Sequence, residues 1–131
     1  TQPLMMRLKS DIVSLMLAAV QGELEGHSIE WDARDAVCVV LASAGYPVTS
    51  RTGDVIAGLG EALSDSGDVV VFHAGTRQKG PDVVTAGGRV LGVCALGEGL
   101  PRAVERAYHT ADAISWPGRQ MRRDIAWRAL S

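Results

Sequence analysis

"TAGGRVLGVCALG" occupies residues 85–97. Two adjacent glycines and one arginine open an uncharged apolar run rich in Val, Leu and small residues. The run reads as a strand, and Ala86-Gly87-Gly88 reads as the turn leading into it. A glycine there either shapes a tight turn or lets something approach the backbone without a Cβ clash. Arg89, directly after it, carries five donors in a planar fork suited to phosphate or carboxylate. The competing reading is an ordinary hairpin turn with a surface arginine.

Working outward, "VVVFHAGT" (69–76) is a second strong strand, and "RQKGPD" a hairpin-like connector punctuated by Gly80-Pro81. "VVT" and "GRVLGVCALG" follow as strands three and four. Upstream, "AVCVVLAS" (36–43) is β-branched, continuously apolar and bounded by a turn, which predicts a central strand covered on both faces. It ends in "SAGYP", where Ser43, Gly45 and Tyr46 stand at a strand-to-loop exit of the kind that builds sites. An 11-residue loop, "AGYPVTSRTGD", comes next, then a brief extended piece, "VIAGL", and a turn or scrap of helix, "GEALSDSGD".

Helices flank the strands. Residues 3–21 predict a helix with Leu4, Leu8, Ile12, Leu15, Met16 and Ala19 on one stripe, a possible restart at the Ser10-Asp11 cap and a stop at Gly22. Ile29 and Trp31 form a candidate short strand. "LPRAVERAYHTADAI" (100–114) predicts an amphipathic helix with Leu100, Val104, Ala107, Tyr108, Ala111 and Ile114 on its apolar face. The closing stretch, 116–130, interleaves Arg119, Arg122, Arg123 and Arg128 with Trp116, Met121, Ile125, Trp127 and Leu130. Such a mix can bind nucleic acid, but here it is short and the chain is acidic, so a docked terminal helix is the expectation. Short links near Gly80 and Gly87 imply antiparallel pairing. The fold class is α+β: a mostly antiparallel sheet with helices packed on one face.

The chain has 131 residues, 47% of them hydrophobic, and a net charge of -2. That is one modest domain with no electrostatic footprint for nucleic acid or a membrane surface. No apolar run approaches the roughly 20 residues of a membrane span. Cys38 and Cys94 lie far apart in apolar runs, so each is read as a buried free thiol. They make neither a metal site nor a disulfide framework, and a cytoplasmic setting fits. His27, His73 and His109 share no spacing; His73 is either a polar cleft lining or a core histidine bonded to backbone. No Walker loop, HExxH or serine elbow is present. The non-methionine start, Thr1, reads as a chain cut from something longer.

At these same residues the chain resembles a known family. "VFHAGT", "TAGGRVLGVCALG", the Ala103-x-x-Arg106-Ala107-Tyr108 run and "RRDIAWRAL" are similar to the carboxy-terminal portion of glycinamide ribonucleotide synthetase, or phosphoribosylamine–glycine ligase. "TQPLMMRLKSDIVSLMLAA", "AVCVVLASAGYP" and "RTGDVIAGL" match in order, so the resemblance covers the whole chain. Departures are Ala44 and Val48 where the family commonly has glycine, Ser50 where it often has tyrosine, and Ala126 for a glycine near the end.

The resemblance implies an ATP-grasp ligase that joins glycine to 5-phosphoribosylamine, cleaving ATP with Mg2+ (or Mn2+) through an acyl phosphate. It places residues 1–34 as the last helix and linker of the ATP-grasp core and 35–131 as the carboxy-terminal domain. It puts the metal ligands, the ATP lid and most of the ribose phosphate site upstream, so this part alone is expected to be inactive, with no catalytic residue and no metal of its own. Ser43, Gly45, Tyr46, Gly87, Gly88 and Arg89 become candidate substrate-binding residues lining one side of the cleft. Expected partners are the substrates and the rest of the polypeptide, with self-association through the first helix. A non-catalytic structural or interaction domain is the alternative.

Overall fold

The computed structural model describes residues 1–62 and 67–130, with the side chains of residues 61 and 62 outside the description. Helices α1 (Gln2–Arg7) and α2 (Ile12–Gln21) lead, followed by a 3-10 turn at Leu24–Gly26. Then come β1 (Asp35–Ala42), α3 (Leu59–Ala62), β2 (Val69–His73), β3 (Thr76–Lys79), β4 (Asp82–Thr85), β5 (Arg89–Gly97), α4 (Leu100–Ala113) and α5 (Trp127–Leu130). The α+β expectation holds: all strand pairing within the named strands is antiparallel. Part of "GEALSDSGD" lies outside the described residues.

The main sheet has the order β1-β5-β2, and β3 and β4 form a separate pair. The central strand is therefore β5, not β1 as the sequence suggested. From Val90 onward every residue of β5 is buried, whereas Val40 of β1 is 41% exposed. The physical reason is side-chain size. Gly92, Cys94, Ala95 and Gly97 let neighbours approach β5 on both faces, while β1's continuous apolar run has a strand on one edge and, among the described residues, an isolated bridge from Ala42 to Gln120 on the other.

Because side chains alternate across a strand, Val37, Val39 and Leu41 share one face with Leu91, Val93 and Ala95, and with Val69 and Val71. Helix α4 packs there, and Ala103, Ala107 and Ala111, all fully buried, bring its backbone close. The expected apolar stripe of α4 thus omitted Ala103 and Thr110, which the close approach also buries. Helix α1 lies against β1 and β5, where Gln2 reaches Gly92 on the opposite face.

The predicted β4–β5 hairpin does not form. Thr85 is already held by Gly53 and Asp54 (Gly53 N–H to Thr85 O 2.7 Å, Thr85 N–H to Asp54 O 2.9 Å), and Ile56 donates to Val83 O. The segment 53–56 thereby occupies the free edge of β4, and β5 crosses to the other sheet. A hairpin does turn at Gly80-Pro81, but the strand expected over 69–76 ends at His73, and Arg77, Gln78 and Lys79, read as connector, pair with β4 as part of β3, with Thr76 opposite Thr85.

The single helix predicted over 3–21 is two. It breaks at residues 8–11, and the suspected restart is real: Asp11 caps α2 by accepting from Val13 N–H at 2.9 Å. Trp31 pairs with Leu8 as an isolated bridge, so the Ile29–Trp31 strand is only that. The apolar stripe is divided as well. Leu15 is buried, but Leu4 and Met16 of the expected stripe are exposed, and Met16 stands with Val13, Leu17 and Val20 in an exposed row on α2. The closing segment is mostly irregular. Pro117-Gly118 interrupts helical geometry, and only Trp127–Leu130 is helical.

A chain of ion pairs ties these layers together. Arg34 reaches Asp32 at 2.8 Å and Asp68 at 2.6 Å, and Asp68 also takes Arg106 from α4 at 2.9 Å. Hydrogen bonds from Arg34's side chain and backbone hold Asp32 well below the usual carboxylate value of 3.8. Asp112 is lowered by Arg123 and Asp124 by Arg122. A carboxylate whose folded pKa is depressed contributes stability above its unfolded pKa and loses it as pH falls through the folded one. Melting temperature should therefore fall as pH drops below about 4, and Asp32→Asn should make that fall shallower. Parallel acid titrations of stability check this; equal slopes for both proteins would contradict it.

Candidate functional site

The two turns singled out in the sequence meet in space. Ser43, at the end of β1, donates its backbone N–H to Gly88 O at 2.9 Å and its hydroxyl to Gly87 O at 3.0 Å. It is fully buried, so both its donors are spent holding the Gly87-Gly88 turn. Gly45 has φ +82°, a conformation that favours glycine, and Thr49 N–H closes the loop onto Gly45 O at 2.9 Å. The Tyr46-Pro47 peptide bond is cis, and the Tyr46 ring lies over Gly88. A Cβ on Gly88 would lie 2.8 Å from Tyr46 Cε2 and 2.8 Å from Ser50 Oγ. Close approach at Gly88 is thus made by the protein's own aromatic ring.

Arg89 projects from this arrangement. It is exposed, and among the described residues no hydrogen-bond or ion-pair partner engages its guanidinium. It lies between two cavities that share Val40. One, of about 410 Å³, is lined by Ala42, Tyr46, Gln120, Met121 and Arg122 as well. The other, of about 500 Å³, is bounded by Thr1, Gln2, Ala74, Leu91 and Gly92. The smaller cavity presents mainly apolar surface, from Val40, Ala42, Tyr46 and Met121, with a few polar groups at its edge, the usual make-up of a ligand cleft, whereas the larger one is more polar, with Thr1 and Gln2 on its wall. An uncompensated guanidinium beside apolar surface favours an anion.

His73, left open between two roles, is exposed and bonded through Nδ1 to Thr76 Oγ1 at 2.9 Å. His27 and His109 are exposed. Among the described residues no three His, Cys, Asp or Glu are grouped so as to hold a metal ion.

Residues 36–128 match the model of the family described as phosphoribosylglycinamide synthetase, C domain. The chain belongs to that family. It is 50% identical over 131 residues to phosphoribosylamine–glycine ligase of Escherichia coli O6:H1, covering 99% of this chain and 30% of that protein. It is 49% identical over 131 residues to the Vibrio cholerae protein of the same name, covering all of this chain and 30% of the relative. The chloroplastic ligase of Arabidopsis thaliana is 50% identical over 130 residues, 98% of this chain and 24% of its own length. The crystal structure of phosphoribosylamine–glycine ligase from Thermotoga maritima is similar with a TM-score of 0.65 and 32% identity, covering 86% of this chain and 29% of that one. The chain thus spans about three tenths of the length of the bacterial relatives it matches.

In this C domain the cavity wall formed by Gln120, Met121 and Arg122 was not foreseen from the sequence. It arises from long-range pairing. Ala42 N–H donates to Gln120 O at 2.8 Å and Gln120 N–H returns to Ala42 O at 2.9 Å. The segment is latched to α4 by Tyr108, whose hydroxyl donates to Arg122 O and accepts from Ile125 N–H. The basic cluster of the closing segment is committed internally. Arg122 pairs with Asp124, Arg123 with Asp112, and Arg119 donates to the carbonyls of Ala111 and Ile114 at the end of α4. Arg128 stacks on Trp127. These internal partners are what a docked tail requires. Among the described residues no helix is long and apolar enough to cross a membrane.

Proposed function

We propose that the chain is the carboxy-terminal part of an ATP-dependent ligase that joins glycine to 5-phosphoribosylamine, giving glycinamide ribonucleotide, ADP and phosphate, in cytoplasmic purine synthesis. The reading rests on membership of the family and on relatives that bear the ligase name across this whole chain. Residues 1–34 are then the end of the ATP-grasp core and its linker, and 35–131 the carboxy-terminal domain; the family match beginning at residue 36 supports that boundary.

In the proposed reaction the glycine carboxylate takes the γ-phosphoryl group of ATP, the ribosylamine nitrogen attacks the resulting acyl phosphate, and phosphate leaves. ATP and Mg2+ or Mn2+ are assigned to the rest of the polypeptide, and no step is assigned to a metal on this chain. This chain supplies one wall of the cleft. Arg89 binds an anionic group of the substrates, Tyr46 and Met121 exclude water beside it, and Ser43, Gly45, Gly87 and Gly88 hold the turn that aims Arg89. The observation that carries this role is the position of Arg89 between two cavities, with no partner for its guanidinium among the described residues.

The test is ADP formation by the full-length protein that carries this chain, with glycine and phosphoribosylamine omitted in turn. Turnover should require both; ADP release independent of either would overturn the reading. The 131-residue chain alone should show no ligase activity and no micromolar Mg-ATP binding by calorimetry. Heat from micromolar binding would place a nucleotide site on this chain.

A purely structural or interaction role is favoured by one observation, the exposed row Val13, Met16, Leu17 and Val20 on α2, spaced like the apolar face of a buried helix. In the ligase reading that row packs on the rest of the polypeptide. In isolation it should drive the chain to self-associate, visible as mass rising with concentration in light scattering. A monomer at every concentration would contradict that expectation.

A further inference from the structure

The two cysteines, 56 positions apart in sequence, face one another across the strands: Cys38 of β1 is the register partner of Cys94 of β5. Their pairing type follows from the other edge of β5. Leu96 N–H donates to Asp68 O and Ala74 N–H to Val90 O, so the even-numbered residues of β5 turn their backbone polar groups toward β2. Cys94 therefore meets Cys38 at a non-hydrogen-bonded position, where α-carbons come to about 4.5 Å and side chains are closest. Both thiols lie on the sheet face opposite α4.

The two sulfurs differ in access. Cys94 is fully buried, whereas Cys38 is only half-buried. This corrects the expectation that both thiols are sealed in the core. Cys38 Sγ occupies space that Gly92 leaves free, 3.3 Å from where a Cβ on that glycine would stand, with Gln2 Nε2 3.8 Å from the same point. Gly92 and Gln2 also line the larger cavity beside Arg89, which brings solvent to this face of the sheet.

We propose that Cys38 and Cys94 are a cross-strand redox site, with Cys38 the attacking thiol and Cys94 the resolving one, oxidised by a peroxide or a small-molecule disulfide. The geometry carries it: register partners, one shared face, one accessible sulfur. The hydrogen bond with Cys94 also lowers the pKa of Cys38 and raises that of Cys94, which suits the same division of labour.

With hydrogen peroxide, the Cys38 thiolate attacks one oxygen, an S–O bond forms and the O–O bond breaks. The departing hydroxide takes up the proton that Cys38 released and leaves as water. The Cys94 sulfur then attacks the Cys38 sulfenic sulfur, an S–S bond forms, and hydroxide leaves with the Cys94 proton as a second water. Two thiols lose two electrons and two protons, and one peroxide becomes two waters. A non-hydrogen-bonded strand pair holds β-carbons somewhat farther apart than a relaxed disulfide does, so the bond is of the easily reduced, reversible kind. A cellular dithiol or glutathione restores the pair.

The experiment treats the folded full-length protein carrying this chain with hydrogen peroxide, and separately with glutathione disulfide, followed by intact mass and peptide mapping. The expected product has lost two hydrogen atoms, joins the β1 and β5 peptides and is reversed by dithiothreitol. Cys94→Ala should stall at a glutathione adduct on Cys38. Cys38→Ala should slow thiol loss at Cys94 roughly tenfold or more, because that sulfur is buried. Near-ultraviolet circular dichroism verifies that each variant is folded; either variant alone suffices. Stable oxygen adducts on Cys38 with Cys94 still free, cross-links between chains instead of within one, or equal reactivity of Cys94 with and without Cys38 would each overturn the proposal.

Discussion

Gly97→Ala is expected to destabilise the fold by about 3 kcal/mol, the upper part of the range for overpacking a filled core. Gly97 ends β5 under the first turn of α4. A Cβ there would stand 2.8 Å from Ala103 Cα and 2.7 Å from the Arg102 carbonyl carbon, closer still to Ala103 N, and all three are backbone atoms. A flexible side chain could swing away; a helix backbone cannot. Moving α4 outward would open the contacts of Ala103, Ala107 and Ala111, each fully buried against the sheet. Urea denaturation of the variant checks this, read as a lower midpoint at an unchanged slope. A change below about 0.5 kcal/mol, the scale of a surface substitution, would show that α4 is not seated as described.

That glycine also illustrates which parts of the fold were legible. Strand and helix positions followed from apolar periodicity, and the α4 span from Leu100 to Ala113 was readable to within a residue. Sheet order was not. Whether β1 or β5 is central depends on which strand has small residues on both faces where helices cross, and Gly92 and Gly97 carry that meaning only once α1 and α4 are in place. The β4–β5 turn failed for a similar reason. Three residues are enough for a hairpin, but the edge of β4 was taken by residues 53–56, a competition invisible to local patterns.

If the proposed ligase reading holds, Arg89→Ala is expected to lower kcat/KM of the full-length protein ten- to a hundredfold with little change in melting temperature. The loss corresponds to roughly 1.5–3 kcal/mol, the worth of a hydrogen bond to a charged group in a partly dry cleft. Stability should hardly move, because Arg89 is exposed and its guanidinium has no partner among the described residues to lose. Gly88→Val should behave differently. Its side chain would collide with the Tyr46 ring and Ser50 Oγ, displacing the wall of the smaller cavity and disturbing the turn that Ser43 holds. Activity and melting temperature should fall together.

Of the candidate site, the turns at 43–46 and 87–89 were visible as glycine punctuation at strand ends, and their residues do come together. What the sequence could not show is the division of labour. Ser43 is sealed and Gly88 is covered by Tyr46, so their contribution is to aim the loop, whereas Arg89 alone projects between the cavities. The wall made by residues 120–122 had no local signal, since it depends on Gln120 pairing with Ala42.

The measurement that bears most directly on Arg89 as the anion-binding residue of this cleft is a steady-state comparison of wild type, Arg89→Lys and Arg89→Ala in the full-length protein. Each of glycine, phosphoribosylamine and ATP is varied in turn, with melting curves alongside. Loss of kcat/KM for one anionic substrate, graded from Lys to Ala at constant melting temperature, is the predicted result. Wild-type kcat/KM for all three substrates in Arg89→Ala would contradict it and leave Arg89 a surface residue.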